Sequence, residues 1–238
     1  MTIRAGREEE SHSPIGNARF RPAMKIGILG AGGVAQSLGK GFAANGHDVK
    51  LSSRTPGKKE VRSWLQATKG TVSAGTFAEA AAHGEVVVLA TLGAAAESVL
   101  DAAGAANLSG KVLVDVTNPL DFSKGMPPGL FVGTTDSLGE RIQRKVPRAK
   151  VVKTLNIVNQ DTMIRPRMKE GVPDMFLAGN DGAAKAAVGK LLKEFGWGEP
   201  VDLGRIEEAR WLEALVPLWV RVALKLGSWH VAFRVLRT

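Results

Sequence analysis

Cysteine and tyrosine are both absent from this 238-residue chain, and each absence removes a class of function. Without cysteine there is no disulfide framework, no thiolate metal site and no cysteine nucleophile. Without tyrosine there is no tyrosine proton donor of the kind that many carbonyl reductases pair with a lysine. Because disulfides are typical of oxidising compartments, a chain without cysteine favours a cytoplasmic location.

Long apolar runs and blocks of like charge are also missing. The most apolar stretch, residues 215–226, is interrupted by Pro217, Arg221 and Lys225 and is shorter than the roughly 20 residues of a membrane span. We therefore expect no membrane association. The net charge of +9 is spread along the chain and aromatic residues make up only 5% of it, which argues against a nucleic-acid surface. A small phosphate-bearing molecule accounts for the positive charge equally well.

Residues 1–24 differ in composition from the rest of the chain. They combine charged residues with Ser, Pro and Gly and contain no apolar run, so we expect a disordered tail rather than a signal peptide. The chain as a whole is 44% hydrophobic, which predicts a packed core. Its length suits one large domain, or one domain with a smaller lobe.

From Lys25 onwards, short apolar runs alternate with helical patterns, as in βα units around a parallel sheet. Continuously apolar cores such as 86–89 predict strands that are covered on both faces. The predicted strands are 25–29, 48–52, 71–73, 85–91, 111–116, 150–155, 175–178 and 201–203. The predicted helices are 33–45, 58–68, 76–83, 94–105, 182–195 and a long C-terminal helix from about Ile206, with Pro217 as a candidate kink.

The strongest local signal is the match to G-x-G-x-x-A at residues 30–35, directly after the first predicted strand and at the start of a helix. Gly30 permits the tight turn, Gly32 lets the backbone approach a pyrophosphate, and Ala35 keeps the helix close to the sheet. The pyrophosphate would lie on free amides at the helix N-terminus, next to Gly33 and Val34. The motif in this context predicts a Rossmann-type dinucleotide-binding domain.

The end of the second predicted strand indicates which dinucleotide is bound. An NAD enzyme usually carries Asp or Glu there to bind the ribose 2′-hydroxyl, whereas this chain has Ser53, Arg54 and then Lys58. Hydroxyl and guanidinium groups suit a 2′-phosphate, and Arg54 can bind it in a bidentate manner. The sequence therefore favours NADP, although ordinary solvated loop charges would give the same pattern.

Three further segments follow predicted strands and would line the rest of the crevice. They are Thr91-Leu92-Gly93, Thr117-Asn118-Pro119 and the segment from Asn156 to Asn159. A capping or turn-forming role for the asparagines has similar weight to cofactor contact. No pair of side chains has the spacing of a catalytic acid–base group or of a metal site, so the sequence predicts neither a catalytic side chain nor a bound metal.

Several segments of the chain resemble the coenzyme F420 (deazaflavin)-dependent NADP oxidoreductases, over about residues 25–238. The N-terminal segments are shared with other Rossmann-type reductases, whereas the C-terminal ones are more specific. The segments are 25–35 (KIGILGAGGVA), 52–54 (SSR), 114–121 (VDVTNPLD), 152–159 (VKTLNIVN), 175–181 (MFLAGND), 195–197 (FGW), 201–204 (VDLG), 212–213 (LE) and 218–219 (LW).

The resemblance implies a Rossmann-type doubly wound, mostly parallel sheet at residues 25–155 and a small, mainly helical C-terminal lobe at 156–238. It implies hydride transfer between the nicotinamide C4 of NADPH and the C5 of the deazaflavin, in a homodimer that uses the C-terminal helices. The acceptor ring would lie under the loop that begins at Asn156 and under residues 212–219. By the same resemblance, the NADP-binding residues are Gly30, Gly32, Gly33, Val34, Ser53, Arg54 and Lys58, with Thr91, Leu92, Asn118 and Pro119 nearer the nicotinamide.

The acceptor stays open at the level of the sequence. Some members of the family carry a histidine-containing segment beside the deazaflavin, where this chain has Lys153-Thr154-Leu155-Asn156. A flavin or a ferric complex is therefore an alternative acceptor. A non-catalytic NADP(H) sensor is the alternative outside enzymes, and a reductase of imines or hydroxy acids would need a proton donor that the sequence does not show.

Overall fold

The computed structural model describes residues 23–236, so most of the predicted tail lies outside the described residues. The strands are β1 (Lys25–Leu29), β2 (Asp48–Ser52), β3 (Val72–Gly75), β4 (Val86–Leu89), β5 (Val112–Asp115), β6 (Leu120–Asp121), β7 (Gly129–Leu130), β8 (Lys150–Thr154), β9 (Phe176–Gly179) and β10 (Val201–Asp202). The helices are α1 (Gly33–Ala44), α2 (Lys59–Ala67), α3 (Phe77–His83), α4 (Ala96–Ala103), α5 (Ala105–Leu108), α6 (Leu138–Lys145), α7 (Gly182–Glu194) and α8 (Ala209–Leu226).

Eight strands form one sheet in the order β10-β9-β8-β5-β4-β1-β2-β3. All neighbours are parallel except β8 and β9, so β9 and β10 run against the other six strands. The chain moves outward from β1 to β3 and then returns to place β4 on the other side of β1. The strand order thus reverses between β1 and β4, and in such sheets ligands bind at the carboxyl ends of the strands on either side of the reversal.

Helices cover both faces of the sheet, and the strands show why. In β4, Val86 and Val88 pack into the core below α1 and α7, whereas Val87 and Leu89 pack into the core below α3, α4 and α6. Because side chains alternate between the two faces of a strand, a continuously apolar sequence fills both layers. The predicted doubly wound α/β fold is confirmed.

The described part of the predicted lobe, residues 156–236, contributes strands to the same sheet as the rest of the chain. Strands β9 and β10, which the sequence assigned to a C-terminal lobe, extend the sheet beyond β8. The helices of the lobe are α7 and α8. Helix α8 continues through Pro217 and packs Val216, Trp219 and Val220 against Ile157. No helix among residues 23–236 is long and apolar enough to cross a membrane, and the cytoplasmic location stays a prediction.

Three parts of the fold differ from the sequence prediction. The helix predicted at 94–105 is a short 3₁₀ turn at Gly93–Ala95 followed by α4 and α5, which are divided at Gly104, where φ is +82°. Helix α6 and the antiparallel β6–β7 hairpin were not predicted. The N-terminus of α6 carries a readable signal, because the hydroxyl of Ser137 accepts from the backbone N–H of Glu140, as in a capping box.

Candidate cofactor cleft at the carboxyl edge of the sheet

Gly30 and Gly32, the first two glycines of the motif after β1, have different structural roles. Gly30 adopts φ +144°, a value that L side chains rarely take. A β-carbon at this position would also collide with the backbone oxygen of Ala90, at the end of β4. By contrast, Gly32 has ordinary extended backbone (φ −77°, ψ −178°), and a β-carbon there would project into open space. Gly30 therefore supports the packing of the loop, and Gly32 keeps the space above it open.

The N-terminus of α1 is free to bind an anion. No side chain caps it and no acidic residue lies in its first turn. The first backbone N–H groups of a helix have no intrahelical partner, and the helix dipole favours negative charge there. Behind them Ala35 is fully buried in the core. The open space at Gly32 and the uncapped helix fit the diphosphate of a dinucleotide.

A cavity of about 470 Å³ lies beside the glycine loop, at the reversal of strand order, and is called the main cavity for that position. Its wall contains no ionisable side chain among the described residues. The polar side chains in it are Thr91, Thr117, Asn118 and Gln160. The full lining is Gly30, Ala31, Gly32, Gly33, Val34, Ala90, Thr91, Leu92, Gly93, Ala94, Val116, Thr117, Asn118, Leu120, Phe122 and Gln160.

A second cavity, of about 550 Å³, shares Thr91 and Leu92 with the first and extends past the end of β2. Arg54 is the one charged residue among those that line it. Its neighbour Ser53 is buried and accepts from the backbone N–H of Thr55, which leaves the hydroxyl hydrogen free to donate. The remaining lining residues are Thr76, Phe77, Ala95, Ser98, Val99 and Ala102. The two cavities together have the layout of a dinucleotide site, with the cation at the adenosine end.

Most of the predicted site residues lie in this groove. The structure brings together Gly30, Gly32, Gly33, Val34, Ser53, Arg54, Thr91, Leu92 and Asn118. The other four predicted residues do not line either cavity: Ala35 and Asn156 are buried, Lys58 is exposed at the start of α2, and Pro119 follows the lining residue Asn118.

Asn118 and Asn156 form a reciprocal pair at the ends of β5 and β8. The Asn118 side-chain amide donates to the Asn156 carbonyl over 2.7 Å, and the Asn156 amide donates to Asn118 Oδ1 over 2.9 Å. The Asn156 amide also donates to the carbonyl of Leu212 in α8, over 2.9 Å. Asn156 thus fixes the orientation of Asn118 from behind the cavity wall. These contacts give Asn156 a structural role, which is one of the two alternatives left open above; its contact with the cofactor stays a prediction.

Lys153 is fully buried below the same loop. Its ammonium lies 2.9 Å from Asp115 Oδ2 and 3.0 Å from Glu213 Oε1, and donates to the Thr117 carbonyl over 2.6 Å. Burial alone would lower the pKa of Lys153, but the two carboxylates outweigh it and hold that pKa above its usual value. Glu213 also accepts from the backbone N–H groups of Leu138 and Gly139 at the start of α6. The buried ions therefore connect α8 and α6 to the loop that carries Asn118.

Phe122 and Gln160 are among the lining residues that the sequence analysis did not predict. Phe122 belongs to the hairpin after Asn118-Pro119, and Gln160 lies beyond the Asn156 segment. Neither follows a strand directly, so the strand-end rule could not find them. The Asn-Pro turn before the hairpin was the available signal for Phe122.

Comparison with known proteins agrees with this arrangement. The family model described as NADP oxidoreductase, coenzyme F420-dependent, matches residues 25–119. A crystal structure from Arthrobacter sp. FB24, proposed to be an F420-dependent NADP reductase, is 46% identical, with 90% of this chain and 100% of that chain covered and a TM-score of 0.87. The chain belongs to the F420-dependent NADP oxidoreductase family. It is an NADP-dependent oxidoreductase by this membership.

Two curated relatives show how far the similarity extends. An F420-dependent NADP reductase from Methanothermobacter marburgensis is 27% identical over 230 residues, covering 89% of this chain and 98% of its own length. The metalloreductase STEAP3 from Rattus norvegicus is 29% identical over 212 residues, covering 87% of this chain. The matched region spans only 40% of the length of STEAP3. The rest of STEAP3 lies outside the match.

Proposed function

We propose that the protein transfers a hydride between NADPH and a deazaflavin (coenzyme F420) or a flavin-like acceptor. The observation that carries the proposal is the neutral wall of the main cavity, in which no lining side chain is ionisable. Reduction of an imine or a carbonyl group needs a proton donor at the substrate, and an ionisable side chain usually supplies it. Hydride transfer between two stacked rings needs mainly correct positioning.

The reaction balances without a protein acid. The bound dinucleotide supplies the C4–H bond that breaks, and its two electrons and hydrogen form the new C–H bond at C5 of the deazaflavin. The second proton of the reduced acceptor comes from solvent. The chain's own residues hold the rings: the loop at Thr91 and Leu92 forms one wall, and the amide of Asn118 is fixed by Asn156 on another.

Apolar side chains at the outer part of the cavity suit a planar acceptor. Leu120 and Phe122 line it from the β6–β7 hairpin, and Leu92 lines it from the loop after β4. Leu92 and Phe122 are 76% and 53% exposed, so their apolar surface is available to a second ring. The names of the relatives point to F420 and, for STEAP3, to a metal as acceptors, and this supports an acceptor screen rather than a single choice.

The screen measures NADPH oxidation with coenzyme F420, FMN, FAD and a ferric chelate, each at several concentrations. We expect turnover with F420 or a flavin, and we expect deuterium from NADPH labelled at nicotinamide C4 to appear at the reactive carbon of the deazaflavin. Phe122→Ala should raise the KM for the acceptor and leave NADPH affinity unchanged. Tight NADPH binding without turnover on any acceptor would contradict the proposal and favour the NADP(H) sensor.

Arg54 supports the choice of NADPH over NADH. It is the one cation that lines the second cavity, and no lining carboxylate is present to hold a free 2′-hydroxyl. Because charge-assisted bonds to phosphate are strong and partial exposure weakens them, we expect Arg54→Ala to weaken NADPH binding by about ten- to a hundredfold. NADH affinity should change far less. Lys59→Ala, which removes an exposed cation outside both cavities, serves as the control; equal losses for both nucleotides would contradict the assignment.

We also propose that the protein is a homodimer through the outer face of α8. Trp211 and Leu218 lie two turns apart on one side of this helix and are 58% and 52% exposed. Exposed large apolar side chains in a row on a helix are typical of an interface. Light scattering should give a dimer mass for the wild type and a monomer mass for Leu218→Glu. A monomeric wild-type protein would contradict this proposal without affecting the reaction.

A further inference from the structure

The connection between β8 and β9, residues 155–175, passes beside the first turns of α1. It places Gln160 in the wall of the main cavity, beside the glycine loop. We propose that Gln160 binds the diphosphate of the dinucleotide and closes the cleft opposite the N-terminus of α1. The proposal rests on the assignment of an NADP(H) site to this cavity.

Two contacts fix the position of Gln160. A β-carbon added at Gly33 would collide with the side-chain oxygen of Gln160, so the carboxamide lies directly against the first residue of α1. The main chain of Gln160 is held by Ser37, one turn further along α1, whose hydroxyl donates to the Gln160 carbonyl over 2.9 Å. The carboxamide is therefore held beside the free N–H groups of the helix.

The carboxamide itself has no partner among the described residues. The backbone carbonyl of Gln160 accepts from Ser37. The side chain of Gln160 makes no hydrogen bond within residues 23–236. Partly buried amides usually find a partner. The carboxamide carries two donors and no charge, which suits an anion in a cleft that already offers helix N–H groups.

The composition of the cavity leaves the diphosphate to neutral donors, because no lysine or arginine lines the main cavity. The side chains of Thr91, Thr117 and Asn118 belong to the segments that follow β4 and β5. Gln160 is the lining side chain with a donor that contacts the α1 N-terminus.

Two nearly isosteric substitutions separate hydrogen bonding from packing. Gln160→Met keeps the length of the side chain and removes its donors, and we expect it to weaken NADPH and NADH binding equally, by about tenfold. Gln160→Glu keeps the shape and adds a negative charge; we expect a further loss of about tenfold that high salt reduces, because salt screens partly exposed charges. Calorimetric titration gives the dissociation constants, and thermal denaturation of each free variant reports on packing.

A fragment distinguishes binding of the diphosphate from general support of the site. Adenosine 2′-phosphate contains the phosphate expected at Arg54 and lacks the diphosphate, so its competition with NADPH should give the same inhibition constant in Gln160→Met as in the wild type. Wild-type NADPH affinity in Gln160→Met, or an equal loss for the fragment, would overturn the role of Gln160. A wild-type protein that binds neither NADPH nor NADH would instead overturn the NADP(H) site itself.

Discussion

Substitutions at Gly30 and Gly32 should separate stability from cofactor binding, although both residues lie in the same loop. Gly30 combines a positive φ with a position where a β-carbon would meet the backbone oxygen of Ala90. Gly32 has neither constraint, since its backbone is extended and the space beside it is open. Gly30→Ala should therefore lower the stability of the folded protein, and Gly32→Val should weaken NADPH binding by filling the space that the diphosphate needs.

The size of each effect follows from these contacts. At Gly30, the disfavoured backbone costs about 1–3 kcal/mol, and overpacking against a backbone atom costs about as much again. The sum of about 2–6 kcal/mol corresponds to a fall in Tm of at least roughly 4 °C for a chain of this length. At Gly32 we expect a stability change within about 0.5 kcal/mol. NADPH binding by Gly32→Val should fall at least about a hundredfold, because two or more charge-assisted bonds to phosphate are lost.

Differential scanning calorimetry without nucleotide and isothermal titration with NADPH measure the two effects on the same samples. Gly30→Ala should show a lower Tm, and Gly32→Val should show a wild-type Tm with little or no heat of binding. If Gly32→Val binds NADPH as the wild type does, the loop is not the diphosphate site. If Gly30→Ala melts at the wild-type temperature, the contact with Ala90 does not constrain the loop.

Two further predictions concern the charges behind the site. Lys153→Met should lower stability by about 3–5 kcal/mol, because it leaves Asp115 and Glu213 buried without their cation; an unchanged denaturation midpoint would refute this. The hydrogen bond from Arg210 holds the pKa of Glu140 below its ordinary value of about 4.5. Burial acts in the opposite direction and is outweighed. The stability that this pair contributes is present above that value and is lost as the pH falls below it, so Arg210→Ala should flatten the decrease in Tm measured between neutral pH and the acid range.

The elements that sequence analysis predicted well have local causes. The strands β1 and β2 were predicted to the residue. In β1 the reason is an apolar run that is covered on both faces and follows a lysine. The glycine loop was recognisable because its chemistry depends on backbone conformation at adjacent positions. Arg54 lies two residues after β2 and lines the second cavity, as the strand-end rule predicts; its contact with a 2′-phosphate stays a prediction.

The features that were missed depend on contacts between distant parts of the chain. Lys153 interrupts an apolar strand, and its burial is acceptable only because Asp115 and Glu213 meet it from β5 and α8. Those two carboxylates are far apart in sequence, so no local pattern records the cluster. Gln160 belongs to the cleft only because the connection after β8 folds back over α1, which depends on the direction of β9.

The reversed direction of β9 has a consequence for how this cleft can change. Two parallel neighbours need a crossover that carries the chain to the opposite edge of the sheet, usually as a helix. Because β9 is antiparallel to β8, the chain leaves and re-enters the sheet at the same edge, the one that holds the cofactor groove. The exposed part of this connection, residues 167–172, can therefore vary in length while the strand register stays as it is. Asn156 and Gln160 lie at the start of the same connection, beside the cofactor groove, so a change that spares them leaves the dinucleotide half of the site as it is.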